Sequence, residues 1–108
     1  MKKLFITAIL ALCAFAASAQ TLVVYYSRNG QNYTSNGIVN LNKGNTQVFA
    51  EKIQSLIGAD IFRLETVKEY STDYYECTQQ AKDELNAKAR PALKADIDIS
   101  NYDTIYLG

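Results

Sequence analysis

Short apolar runs alternate along this chain with two stripes of helical spacing. Residues 21–27 read TLVVYYS, apolar on both faces, the pattern of a central strand covered on both sides. After a polar, glycine-bearing stretch over residues 28–44, a helical pattern begins at Asn45-Thr46. It carries Val48, Phe49, Ile53, Leu56 and Ile57 on one face and Glu51, Lys52 and Gln54 on the other, with Gly58 as its stop. Residues 59–67 (ADIFRLETV) alternate around Ile61, Phe62 and Leu64 and predict a second strand. A second helix is expected over about residues 73–89. Asp73 and Glu76 resemble a capping box, Tyr74, Thr78, Ala81, Leu85 and Ala89 form the inner stripe, and Arg90-Pro91 ends it. Residues 104–107 (TIYL) predict a third buried strand, followed by Gly108. The order strand, helix, strand, helix, strand, with long crossovers, predicts an α/β fold on a parallel sheet, part of a doubly wound architecture.

The first residues belong to another pattern. Lys2 and Lys3 precede an apolar stretch over residues 4–15, and Ala17-Ser18-Ala19 has the small residues of a cleavage site, so residues 1–19 predict a signal peptide and an exported protein, periplasmic or secreted. Cleavage after residue 19 of 108 leaves an 89-residue domain over residues 20–108. With Lys2 and Lys3 gone, nine basic side chains stand against 11 acidic ones, and this balance does not suggest nucleic-acid binding. No second apolar run reaches the roughly 20 residues of a membrane span, so no membrane contact is expected after cleavage. Cys13 leaves with the leader, and Leu12 before it argues against a lipid anchor. Cys77 is then the single thiol. The chain has no histidine, which excludes imidazole-dependent triads and metal sites, and no metal ligand set is expected.

In open parallel sheets ligands sit beyond the carboxyl ends of the strands, and a loop of about 17 residues there is usually functional or disordered. This loop lacks the G-x-G-x-x-G of a dinucleotide site, and Lys43-Gly44-Asn45-Thr46 has the letters of a P-loop in the wrong order. Ser27-Arg28 and Gly108 stand where receiver domains carry carboxylates, and the loop has no phosphatase-type cysteine. What remains is a hydroxyl and amide loop leading into a helix start. Backbone N–H groups and the partial positive charge there can hold an anion without a lysine, with Ser27, Asn45 and Thr46 as hydrogen-bonding side chains and Gly44 allowing close approach.

Cutting out residues 31–44 joins the loop ends as Ser-Arg-Asn-Gly-Asn-Thr, which is similar to the S/T-x-T-G-N-T phosphate loop of flavodoxins. The VVYYS before it, the segment Tyr70-Ser-Thr-Asp-Tyr-Tyr-Glu-Cys77, the Ala89-Arg-Pro91 turn and the final TIYLG also look like secreted bacterial flavodoxin-like proteins, over roughly residues 21–108. The resemblance implies a flavodoxin-like sheet, FMN as cofactor, and Ser27, Asn29, Gly44, Asn45 and Thr46 as holders of its phosphate. It implies an electron carrier with no catalytic acid or base of its own, since the flavin carries the chemistry. Redox partner and oligomeric state are left open. An FMN-dependent NAD(P)H or quinone reductase and a non-catalytic secreted domain without cofactor are the alternatives. Measured against the family, the chain stops after the third strand, before the loops that embrace the flavin ring. It is therefore expected to be an N-terminal part that binds FMN weakly, with the flank of its third strand exposed.

Simpler roles are available to most of these residues. Asn45 and Thr46 can cap the helix. Arg28 suits a solvated loop, and Tyr25, Tyr26, Phe62, Tyr74 and Tyr106 suit core or half-buried positions. Cys77 suits an inert place beside the helix stripe. Asn32-Tyr33-Thr34 matches the glycosylation pattern, but the bacterial-style leader argues against its use. The inserted residues 31–43, with Ile38, Val39 and Leu41, suit a short hairpin or a patch folded back on the domain.

Overall fold

The computed structural model describes residues 20–108; the leader expected over residues 1–19 lies outside them. Five strands and two helices follow in the order β1 (Thr21–Tyr25), β2 (Gly30–Thr34), β3 (Gly37–Leu41), α1 (Asn45–Ile57), β4 (Asp60–Arg63), α2 (Tyr74–Asn86) and β5 (Thr104–Leu107). β4, β1 and β5 form a parallel sheet in that spatial order, with Val23 opposite Ile61 on one side and Tyr106 on the other. The central place of β1 follows from its composition: Leu22, Val23, Val24 and Tyr25 are all buried, Leu22 completely. Val23 and Tyr25 pack with Ala50 of α1 and with Ala59, and Ile53 and Ile61 close the cluster. This is a mixed α/β fold with three parallel strands and two helices.

Helix α1 begins and ends where the pattern predicts. Gly58 takes the left-handed conformation (φ 66°) and its amide donates to the Gln54 carbonyl at 2.8 Å, closing the last turn. Its apolar face is only partly used. Ala50 is the buried residue, whereas Val48, Phe49, Leu56 and Ile57 are largely exposed. Helix α2 starts as expected, with the Asp73 carboxylate accepting from the Glu76 amide at 2.9 Å. It stops at Asn86, before Arg90-Pro91, because Lys88 turns to φ 52° and the Ala87 and Ala89 amides bond back to Asp83 and Glu84.

The inner stripe of α2 is rotated from the expected one. Tyr74, Cys77, Gln80 and Glu84 are half-buried, while Thr78, Ala81 and Leu85 are exposed. Polar anchors decide the rotation: Gln80 accepts from the Ser71 amide at 2.9 Å, and Glu84 accepts from the Tyr70 hydroxyl. The second strand is shorter than expected. Its pairing ends with the Leu64 amide on the Tyr25 carbonyl at 2.7 Å, and Thr66 then bridges to Leu93 in the connector after α2. The run 104–107 does form a strand but is not buried, because β5 pairs with β1 alone and Ile105, Tyr106 and Leu107 are exposed. The insertion is a hairpin. β2 and β3 pair antiparallel from Gly30–Leu41 to Thr34–Gly37, and the Thr34 hydroxyl donates to the Gly37 carbonyl across the turn.

Candidate functional site

The chain leaves β1 at Tyr26, makes the hairpin excursion, and returns to touch its own starting point. Ser27, 7% exposed, places its Oγ 3.1 Å from the backbone amide of Gln47, the third residue of α1. The capping position of that helix is Gly44, which has no side chain to accept from the first turn. Ser27 therefore caps a helix that starts 18 positions further along. The expectation that Asn45 or Thr46 would be the cap is corrected: both are already helical, and both are exposed.

Gly44 has an ordinary φ of −64°, so its requirement is space and not backbone freedom. A Cβ there would run into Ser27 Oγ and the Arg28 carbonyl oxygen. The two ends of the loop thus lie in direct contact. The first amides of a helix have no intrahelical acceptor, and among the described residues none accepts from Asn45 or Thr46. These two N–H groups, on the buried seat formed by Ser27 and Gly44, are the donors an anion would meet.

The other expected residues stand on either side. Asn29 lines, with Ser27 and Arg28, a cleft of about 220 Å³ between the ends of β1 and β4. Thr46 lines a separate apolar groove of about 170 Å³ beside β5, with Phe49, Tyr106 and Gly108. Ser27 and Gly44 are brought into contact and Asn45 and Thr46 follow directly, whereas Asn29 and Thr46 face different hollows.

Arg28 is half-buried, and its guanidinium is engaged away from the helix start. Its guanidinium donates to the carbonyls of Gln31, Ser71 (2.9 Å) and Thr72 (3.2 Å), tying the hairpin to the segment before α2. Asn32, in the glycosylation pattern, spends its amide on the carbonyls of Arg28 and Gly30, both at 3.1 Å. Tyr25 is buried and Phe62 and Tyr74 are half-buried as expected, but Tyr26 and Tyr106 are exposed. Tyr26 meets Tyr70 edge-on across the cleft at 6.3 Å. Partial burial, and next the neighbouring Cys77, push its hydroxyl pKa up. The Tyr70 hydroxyl is pushed up to about 12, chiefly by its hydrogen bond to Glu84.

Two residues that pattern reading passes over complete the site. The Arg63 guanidinium donates to the Ser27 carbonyl at 2.8 Å and to the Gln47 side-chain oxygen at 3.1 Å, and Gln47 in turn donates to Glu51 at 3.1 Å. Glu51 pairs with Lys43 at 2.9 Å, which lowers its carboxyl pKa. A signal for Arg63 exists in ADIFRLETV, where a cation follows Ile61 and Phe62 at the end of the strand. Gln47 is signalled by its place three residues after the glycine. Among the described residues no group of three His, Cys, Asp or Glu side chains is placed to hold a metal. Comparison with protein-family models, curated proteins and solved structures gave no match to this chain.

Proposed function

We propose that this chain is a flavodoxin-like, FMN-binding electron-transfer protein whose phosphate site is the start of α1. The observation that carries the reading is the contact of Ser27 with Gly44 and Gln47, which joins the separated halves of an S…G-N-T loop at the carboxyl end of the central strand. With the hairpin set aside, β4-β1-β5 is also the order 2-1-3 in which a flavodoxin-like sheet begins. Export through residues 1–19, with function outside the cytoplasm, is part of the same proposal.

The residues fit the group. Ser27 Oγ accepts from Gln47 and so holds the helix start in place, Gly44 lets the two loop ends meet, and the Asn45 and Thr46 amides, which have no intrahelical acceptor, are left as donors. The hydroxyl of Thr46 and the amide of Asn45, both exposed, are free to turn toward a phosphate oxygen. When bound, FMN supplies one- and two-electron redox chemistry; the chain's part is to anchor and orient it.

Titration of FMN and riboflavin, followed by flavin fluorescence, tests the reading. FMN should bind at least about tenfold more tightly than riboflavin, because helix-terminal amides add a charge-assisted contact to phosphate alone. The pair Asn45→Ala with Thr46→Val should erase that difference. Equal affinity for FMN and riboflavin, or no saturable binding of FMN, would refute it.

A further inference from the structure

We propose a second binding site on this chain. The cleft between the ends of β1 and β4, with the hollow beside it, takes a small amphipathic monocarboxylate, its carboxylate on Arg28 and Arg63 and its apolar body against Tyr26 and Tyr70. The proposal does not rest on the phosphate reading. That reading uses the amides at the start of α1, whereas this one uses two guanidiniums and two tyrosines.

Both arginines line the cleft, and both are half-buried. Arg28 donates only to the backbone carbonyls of Gln31, Ser71 and Thr72, and Arg63 donates to the Ser27 carbonyl and the Gln47 side-chain oxygen. Neutral oxygens satisfy N–H groups but leave the charge unbalanced, and among the described residues neither arginine has a carboxylate within ion-pair distance. A guanidinium has more N–H groups than Arg63 uses, and its Nε is buried with no acceptor. The carbonyls also hold both side chains in place, so little rotamer freedom is lost when a ligand arrives. The other charged lining groups are matched among themselves, Lys94 lying 3.6 Å from Glu65 and 3.9 Å from Glu69. Glu84, which does not line the cleft, accepts from the Tyr70 hydroxyl. Three cations thus face two carboxylates across the cleft, a surplus that one negative charge closes.

The remaining wall is aromatic. Tyr26 and Tyr70 meet edge-on at 6.3 Å, and both also line an apolar hollow of about 270 Å³ with Thr66, Cys77 and Ala81. Arg28 borders both spaces. The cleft holds about 220 Å³, so each space alone is smaller than the roughly 300–1,000 Å³ of small-molecule sites, and the two together reach that range. An inorganic ion would use only the first and a hydrocarbon only the second. A carboxylate on an aryl body uses both, with its ring against the tyrosine rings. The Tyr26 hydroxyl stands where the two meet: burial and then Cys77 raise its pKa, while Arg28 and Arg63 both act to lower it. The place is also where open parallel sheets take ligands, beyond the carboxyl ends of their strands.

The test is titration of the purified protein with hydrocinnamate, a phenyl ring on a short carboxylate chain, followed by amide NMR shifts. Saturable binding is expected with a Kd of about 0.1–1 mM, in keeping with the size of the probe. The amides of Ser27, Leu64, Glu65 and Ser71 should shift, and that of Leu56 should not. Hydrocinnamamide has the same shape without the charge, and propionate has the charge without the ring; each should bind at least about tenfold more weakly. Arg63→Gln keeps a donor for the Ser27 carbonyl but removes a charge, so it should weaken the acid about fivefold and leave the amide unchanged. Ala81→Trp fills the hollow and should reduce the acid to the affinity of propionate.

Equal binding of hydrocinnamate and its amide would overturn the proposal, and this comparison uses the wild type alone, so it decides even where Arg63→Gln fails to fold. The absence of saturable shifts up to about 10 mM, or shifts confined to the groove beside β5, would overturn it as well. FMN should neither be required for the acid nor compete with it. Competition would merge the two sites and overturn the claim of a second one, whereas failure of the chain to bind FMN would overturn the phosphate reading and leave this site standing.

Discussion

Ser27 Oγ accepts the Gln47 amide hydrogen at 3.1 Å, and this single bond joins two segments that stand 20 positions apart. Removing it should cost as much as removing a helix cap. Ser27→Ala leaves a first-turn amide without an acceptor and should lower unfolding free energy by about 1 kcal/mol. Urea denaturation would show this as a lower midpoint at unchanged slope. Hydrogen exchange at Gln47 and Val48 should quicken more than at Leu56. An unchanged midpoint would mean that the hydroxyl is not the cap.

Two glycines should respond to alanine for different reasons. At Gly44 the backbone is ordinary but a Cβ meets Ser27 Oγ and the Arg28 carbonyl, so Gly44→Ala forces the loop ends apart at about 1–3 kcal/mol. At Gly58 nothing lies within 4 Å of the added carbon, but φ is 66°, so Gly58→Ala costs about 1–2 kcal/mol from backbone conformation alone. The discriminating measurement is the double variant Ser27→Ala/Gly44→Ala. Its destabilisation should be less than the sum for the two single changes, because they disturb one contact, whereas Gly58→Ala should add to either.

Which parts of this molecule can be read in the sequence follows from where each residue's neighbours lie. β1, Gly58 and the Asp73 cap depend on residues a few positions away, and local pattern places them correctly; it also places the first residue of α1, though not its cap. The closure of Ser27 on Gly44 is also legible, but only after the intervening hairpin is recognised as an excursion. The inner face of α2 is not legible. The spacing of Thr78, Ala81 and Leu85 suggests one stripe, while hydrogen bonds from Ser71 and Tyr70, outside the helix, select another through Gln80 and Glu84. β5 misleads for a related reason: TIYL has the composition of a covered strand, and composition does not say whether a neighbour stands on each side.

The Tyr70–Glu84 bond gives α2 a pH-dependent hold. The hydroxyl is raised from 10.0 to about 12 by donating to the Glu84 carboxylate, so its contribution is fully present below pH 10. Between pH 10 and 12 the unfolded chain has already lost that proton while the folded one retains it. Stability must therefore fall as pH rises through this window. Tyrosinate absorbance should show a late step near pH 12 beyond the main titration, and Tyr70→Phe should remove it. Tyr102, held up by Asp60, adds a further late component that Tyr70→Phe leaves in place. A late step unaffected by Tyr70→Phe would disprove the bond.

Arg28 decides whether the hairpin is part of the domain or merely attached to it. Three contacts fasten the base of β2 to the start of α2. The Arg28 guanidinium reaches the Ser71 and Thr72 carbonyls, the Gln31 amide donates to Thr72 at 3.1 Å, and the Tyr74 amide donates to the Gln31 side chain at 3.0 Å. Only the first uses a fork that can satisfy several carbonyls at once. Arg28→Lys keeps the charge but can serve fewer acceptors, so it is not a conservative change here. The remaining two contacts are ordinary hydrogen bonds at an exposed edge. The hairpin should then open more often, with its local opening free energy lowered by about 1–2 kcal/mol. Exchange at the hydrogen-bonded amides of Gly30–Thr34 and Gly37–Leu41 should quicken, while β1 and α1 keep their protection. Because the sheet core of Val23, Tyr25, Ala50 and Ala59 lies apart from these contacts, global stability should drop less than hairpin protection does. Equal loosening of hairpin and sheet would instead make the two a single cooperative unit and refute the role of Arg28 as a local clasp.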